Sequence, residues 1–374
     1  MTSSAAAQSS DTTAQRIYNF SAGPAVLPES VLKQAQAEFL SLDGMGMSIL
    51  EISHRSDAFK AIHAEAQANL RKLLNVPDNY RVLFLQGGSR LQFSMIPMNL
   101  AANKKAQYFI TGTWSKKSVE ETKTLANVTT EVLWDGSETN FDRLPPQTKV
   151  DPEAGYVYYC SNETIHGVQF QSEPEVGDVP LVCDASSDFM YRPLPVEKYG
   201  MIYACAQKNA GPAGVTIVLI RDDLLERSDD GLPGYLNYQT HAANDSMFNT
   251  PPTFAIYMVN LVARWLLNDV GGLSAVHANN QKKAKLLYDI IDNSDGFYAG
   301  HAQTDSRSLM NVTFQMASDE LLAKFISAAA ERNLGNLKGH RSVGGVRASI
   351  YNAMPLEGVT ALAEFMQDFC TKNR

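Results

Sequence analysis

Cysteine is scarce in this chain and does nothing by pattern. Its four cysteines (Cys160, Cys183, Cys205 and Cys370) show no C-x-x-C pair and no metal-ligand spacing, which excludes a disulfide scaffold and a zinc module. Three of them fall inside strand-like apolar runs, where cysteine behaves as a small buried hydrophobe and a reducing, cytoplasmic compartment fits. Long apolar runs are missing too. A stretch such as 213–220 is about eight residues long, against roughly 20 for a membrane span. No basic tract offsets the net charge of −8, which argues against nucleic-acid binding. Residues 1–16 are rich in Ser, Thr, Ala and Gln and lack the apolar core of a secretory segment, so a disordered tail is expected there.

What remains is an ordinary globular composition, 44% hydrophobic and 19% charged, over 374 residues, enough for two lobes. Short apolar strands alternate with helix-length segments from residue 81 to 220. The expected strands are 82–85, 106–110, 130–133, 156–160, 181–183, 201–204 and 215–220. That alternation predicts βαβ units, an α/β fold and a mostly parallel sheet. One connection breaks the rule. About ten turn-rich residues separate 204 from 215, too few for a crossover helix. The last strand should therefore run antiparallel to its predecessor, with Lys208 in the hairpin between them. Helices are expected at 253–268, 273–294, 320–332 and 356–371, with strands at 310–314 and 346–349. They give a large domain over 29–270 and a smaller α+β domain made of 17–28 plus 271–374.

Two of these strand ends carry complementary charge. Lys208 sits between an apolar strand and a Gly/Pro turn, and Asp184 ends the strand 24 residues upstream. A lysine able to form a Schiff base and a carboxylate able to keep a pyridine nitrogen protonated are what pyridoxal 5′-phosphate (PLP) requires. Taken alone, Asp184 followed by Ala-Ser-Ser reads equally as a helix N-cap, and Lys208 as a solvated charge.

Other candidates also read two ways. Gln86-Gly87-Gly88-Ser89-Arg90 joins a strand to a helix and is either a plain turn or a phosphate site at a helix N-terminus. Trp114, just past a strand, is core bulk or a stacking platform, and Thr164 is a cap or a cofactor hydrogen-bond donor. Thr250 followed by Pro251 fits N-cap and N1 of the next helix. His54-Arg55 and His340-Arg341, with Arg347 nearby, are surface charge singly. Together in an acidic protein they suggest a cationic pocket for a substrate carrying carboxylate and phosphate.

Assembled, these segments resemble a family. Tyr-Asn-Phe-Ser-Ala-Gly-Pro-Ala (18–25), Glu-Ile-Ser-His-Arg-Ser (51–56), Gln-Gly-Gly-Ser-Arg (86–90) and Cys-Ser-Asn-Glu-Thr-Ile-His-Gly (160–167) occur in family order. So do Ala-Gln-Lys-Asn-Ala-Gly-Pro-Ala-Gly (206–214), Asn-Thr-Pro-Pro-Thr-Phe (249–254) and Lys-Gly-His-Arg-Ser-Val-Gly-Gly-Val-Arg-Ala-Ser (338–349). From Tyr18 onward the chain resembles the phosphoserine aminotransferases, in the class V branch of PLP enzymes with the aspartate aminotransferase-type fold (fold type I).

The resemblance implies that Lys208 holds PLP and shuttles a proton, Asp184 pairs with the pyridine nitrogen, Trp114 stacks on the ring and Thr164 bonds its hydroxyl. It gives the cofactor phosphate to Ser89, Arg90 and Gln207, with Asn249 and Thr250 reaching in from the partner of a homodimer. Arg347 would clamp the α-carboxylate, and His54, Arg55, His340 and Arg341 would receive the phosphate or the distal carboxylate. The implied reaction takes an amino group from L-glutamate to 3-phosphohydroxypyruvate, giving O-phospho-L-serine and 2-oxoglutarate, with 4-phosphohydroxy-L-threonine a second implied substrate. No metal, nucleic acid or membrane is expected. Where some relatives have Ser-Ser-Gly-Pro, this chain has Ser21-Ala22-Gly23-Pro24, one hydroxyl fewer. A lyase or desulfurase of the same fold would need another catalytic group, and a non-catalytic regulator would lack Lys208 or carry a DNA-binding extension.

Overall fold

The computed structural model describes residues 16–374, so the expected tail lies outside the described residues except for Arg16. Seven strands form the main sheet in the order Tyr80–Leu85, Thr216–Arg221, Tyr199–Cys205, Leu181–Asp184, Tyr156–Cys160, Lys105–Ile110, Thr129–Asp135. The central strands are buried on both faces, which is why they read as continuous apolar runs rather than alternating ones. Thr216–Arg221 runs antiparallel to both neighbours, and the other neighbouring pairs run parallel. The short 204–215 connection thus makes the expected hairpin.

Helix Thr253–Asn268 has the ends read from the sequence, but its N-cap is Pro252, with no side-chain cap. Thr250 and Pro251 therefore precede the helix instead of starting it. Ser-Met-Phe-Asn-Thr (246–250) remains a loop, free to serve another purpose. Asp184 caps no helix either: its carboxylate accepts the Ser186 N–H at 2.9 Å, closing a turn.

A second core gathers around a three-stranded antiparallel sheet of Ala299–Gly300, Asn311–Gln315 and Val346–Ser349. Helices Leu273–Asp292, Asp319–Glu331 and Leu356–Asn373 contribute the apolar side chains of this core. Phe20 is fully buried in it, and Tyr18–Asn19 pairs parallel with Leu334–Gly335, so the N-terminal segment is stitched to the C-terminal part of the chain. Lys283 is buried beneath, donating to the carbonyls of Ile350, Tyr351 and Met354 at 2.7–3.1 Å. Those bonds hold the turn that follows the Arg347 strand. Among the described residues no helix is long and apolar enough to cross a membrane.

Candidate active site

The parallel strands of the main sheet end together, and at that edge lies a cleft of about 430 Å³. It is lined by Ser89, Arg90, Trp114, Thr164, Asp184, Gln207, Lys208, His340 and Arg347, among others. Nine of the residues singled out from sequence therefore converge. His54, Arg55, Asn249, Thr250 and Arg341 do not line it.

Lys208 occupies the hairpin between the last two strands, half-buried, and its Nζ donates to Thr164 Oγ1 at 2.8 Å. The same ammonium stands 5.5 Å from the centre of the Trp114 ring. Asp184 is 3% exposed and accepts hydrogen bonds from Tyr203 Oη at 2.8 Å and from the Ser186 N–H. No cation among the described residues pairs with Asp184, and no carboxylate pairs with Lys208. A buried carboxylate without a cation is costly. A protonated ring nitrogen would satisfy it.

The opposite end of the cleft is built for an anion. Gly87 (φ +87°) and Gly88 (φ +63°) turn the chain into helix Gly88–Leu100, a backbone conformation that side chains disfavour. A Cβ at Gly87 would also lie 2.5 Å from the Leu91 side chain. The Ser89 N–H meets Cys205 Sγ at 3.0 Å, and Ser89 Oγ lies 3.2 Å from Ser186 Oγ. These hydroxyls stand at the first turn of the helix, where the dipole favours an anion such as a phosphate. With the lysine, the acid and the aromatic platform, this donor set fits PLP.

Arg347 enters from the second core on strand Val346–Ser349, half-buried, with no carboxylate partner among the described residues. Burial lowers its guanidinium from the usual value. His340 is pulled down as well, first by burial and then by Arg347, Arg341 and Lys117. Arg341 thus adds positive potential to the cleft without lining it.

Sequence reading missed several residues that shape this site. Ser186 and Cys205 hold the Ser89 turn, Tyr203 holds Asp184, and His166 follows Thr164 by two residues. The Asp-Ala-Ser-Ser run was a signal for Ser186 and the 160–167 motif was one for His166; Tyr203 sits in a stretch that reads only as core. His166 is buried, with its ring 4.8 Å from Phe141 and 5.6 Å from His301. Burial, then His301 and His340, push it down to about 4. The unfolded chain binds this proton near pH 6.5, so the stability His166 contributes is complete above 6.5 and is lost as pH falls toward 4. We expect a loss of about 3 kcal/mol across that window, read by urea denaturation. His166→Phe should flatten that part of the profile; an unchanged slope would show that other groups carry it.

Comparisons with known proteins agree with this geometry. The sequence profile of the family "Aminotransferase class-V" matches residues 17–362. The chain is 58% identical over 375 residues to a phosphoserine aminotransferase of Rhodopirellula baltica, covering 99% of each chain. It is 52% identical to the same enzyme of Laribacter hongkongensis, over 96% of this chain and 99% of that one. Among solved structures, phosphoserine aminotransferase from Bacillus circulans subsp. alkalophilus superposes with a TM-score of 0.93 at 48% identity, covering 96% and 99% of the two chains. The PLP-bound enzyme from Trichomonas vaginalis gives 0.89 at 43%, covering 94% and 100%. A sheet edge carrying Lys208 opposite Asp184, a phosphate cradle and near full-length likeness lead to one placement: the chain belongs to the class V aminotransferases, PLP-dependent enzymes of fold type I.

Proposed function

We propose that this protein is a phosphoserine aminotransferase, moving the amino group of L-glutamate to 3-phosphohydroxypyruvate to give O-phospho-L-serine and 2-oxoglutarate. The observation that carries the reading is the cleft itself, where, among the described residues, a buried Asp184 without a cation and two cations without a carboxylate, Lys208 and Arg347, surround one anion cradle. Bound there, PLP supplies the electron sink for charge released at the substrate α-carbon.

The residues supply the rest. Asp184 would keep a proton on the ring nitrogen, Trp114 would pack against the ring and Thr164 would meet its hydroxyl. Ser89, Arg90 and Gln207 would hold the phosphate. Lys208 would hold the cofactor and carry the proton taken from the substrate α-carbon. Arg347 grips the α-carboxylate that both substrates share, and His340 with Arg341 meets the far anionic group. One cationic cleft can thus take two dissimilar dianions in turn. 4-Phosphohydroxy-L-threonine, with the same two anionic ends, is a second proposed substrate.

The proposal includes a homodimer with shared sites. Phe39, Leu40, Met45, Met47, Leu50 and Phe248 are exposed, and the Phe39 ring meets Phe254 edge-on at 6.2 Å. The segment before His54-Arg55 and the start of the helix that follows Asn249-Thr250 thus meet, and their exposed apolar side chains are of the kind a second subunit covers. Across it, Asn249 and Thr250 would reach the partner's cofactor phosphate, and His54 and Arg55 its substrate. The division into a 29–270 domain and a 17–28 plus 271–374 domain, and a cytoplasmic location, belong to the same reading, the latter supported by four free, buried cysteines. Their burial also weighs against a desulfurase, which needs an accessible thiol.

The test is an absorbance spectrum of the purified protein loaded with PLP. Glutamate should move the visible band to the near ultraviolet, and 3-phosphohydroxypyruvate should restore it. A band that ignores glutamate would reject this donor, and absence of any band would reject the reading.

A further inference from the structure

Glu163 is a fully buried carboxylate outside the lining of the cleft. It accepts the Trp114 N–H at 3.1 Å, the Ser115 N–H at 2.8 Å and the Ser115 hydroxyl at 2.6 Å. These amides belong to the first turn of helix Thr113–Thr122, where N–H groups have no partner within the helix. Such donors are ordinarily satisfied by a Ser, Thr or Asp immediately before the helix. Here that position is Gly112, and the acceptor comes from a residue 49 positions away.

Gly112 is explained by the same contact. Its φ of 174° is extended backbone open to any residue, so conformation does not demand glycine. Space does, since a Cβ there would lie 2.4 Å from Glu163 Cδ and 2.6 Å from Cγ. The chain gives up a local cap to admit a distant carboxylate. Burial raises the Glu163 carboxyl, while Ser115 and Trp114 donors lower it and Asp184 adds repulsion. A local serine cap would have avoided that cost.

What the distant acceptor adds is a geometric link. The next residue, Thr164, holds Lys208 Nζ, and Lys208 stands over the Trp114 ring. Glu163 also lies in the two-residue strand Asn162–Glu163, paired antiparallel with Val168–Gln169, so the dipeptide is itself braced. Two adjacent residues therefore fix both the helix turn bearing Trp114 and the lysine it faces. We propose that Glu163 is a positioning residue that sets the height and tilt of the Trp114 ring against the Thr164–Lys208 pair, so that the cofactor ring is clamped in register. The inference rests on the stacking role proposed for Trp114.

The test compares wild type, Glu163→Ala, Glu163→Gln, Trp114→Ala and the double variants, each loaded with PLP. The readouts are the PLP dissociation constant, the circular dichroism induced in the cofactor band, kcat and KM, and the thermal midpoint. We expect Glu163→Ala to weaken PLP binding about tenfold or more, to diminish the induced dichroism, and to lower kcat with KM for phosphoserine changed less than about twofold. Glu163→Gln keeps one carbonyl acceptor but turns its NH2 toward the other N–H donor, so it should recover only part of each loss. With alanine at 114, Glu163→Ala should add little to the loss of PLP affinity, because the ring it positions is already gone. If Glu163→Ala does not fold, the glutamine variant carries the same cycle, with about a threefold change expected. A lowered thermal midpoint with unchanged PLP affinity and dichroism, or additive effects of the two sites, would overturn the proposal alone. Trp114→Ala without effect on PLP binding would overturn it together with the stacking role.

Discussion

Exchanging Lys208 for alanine is expected to cut turnover by about four orders of magnitude or more and to leave the fold intact. The lysine lies in a hairpin at the end of the sheet, half-buried, and its Nζ bond to Thr164 and approach to Trp114 are contacts at the cleft, not in either core. Its loss removes a covalent attachment point and a proton carrier while changing stability by about 1 kcal/mol or less. Two measurements separate the cases. Borohydride reduction followed by peptide mass analysis should find PLP on Lys208 in the wild type and on no residue of the variant. Thermal unfolding should show a comparable midpoint. Near-normal turnover in a variant without attached PLP would remove Lys208 from the chemistry and the proposed mechanism with it.

The parts of this molecule legible in the sequence are those where one physical demand dominates. Central strands buried on both faces show up as apolar runs, and the ten-residue gap before 215 dictates a hairpin whatever surrounds it. Lys208 and Asp184 stand out because each ends such a strand. The Thr250-Pro251 signal misled because local capping preference is weaker than the packing that starts the helix at Thr253. The hairpin of Asn162–Glu163 with Val168–Gln169 is too short to leave a periodicity. Glu163 leaves no signal of its own in the sequence, because a glutamate in a polar segment looks solvated and its partners are 48 and 49 residues away. His54, Arg55, Asn249 and Thr250 show a different limit. Their sequence context suggests a site, but one chain does not bring them to the cleft. Asn249 instead donates to Gln86 Oε1 at 3.2 Å on the near side of the phosphate cradle.

Arg347 should be the second most costly residue to lose, and its loss is more informative because it must hurt two substrates at once. It projects from the second core into a cleft whose other lining comes largely from the main sheet. Among the described residues nothing competes for its charge. Glutamate and 3-phosphohydroxypyruvate differ at their far ends but share the α-carboxylate, which a guanidinium fork can hold at two points. Arg347→Ala should therefore lower kcat/KM about 100-fold for the amino donor and by a similar factor for the keto acceptor, measured in the separate half-reactions. Arg347→Lys should recover only part, since a point charge replaces a planar two-point contact. If one half-reaction fell and the other did not, the two substrates would not share a clamp. His340 and Arg341 would then have to bind the α-carboxylate of the unaffected substrate, reversing the orientation proposed for it.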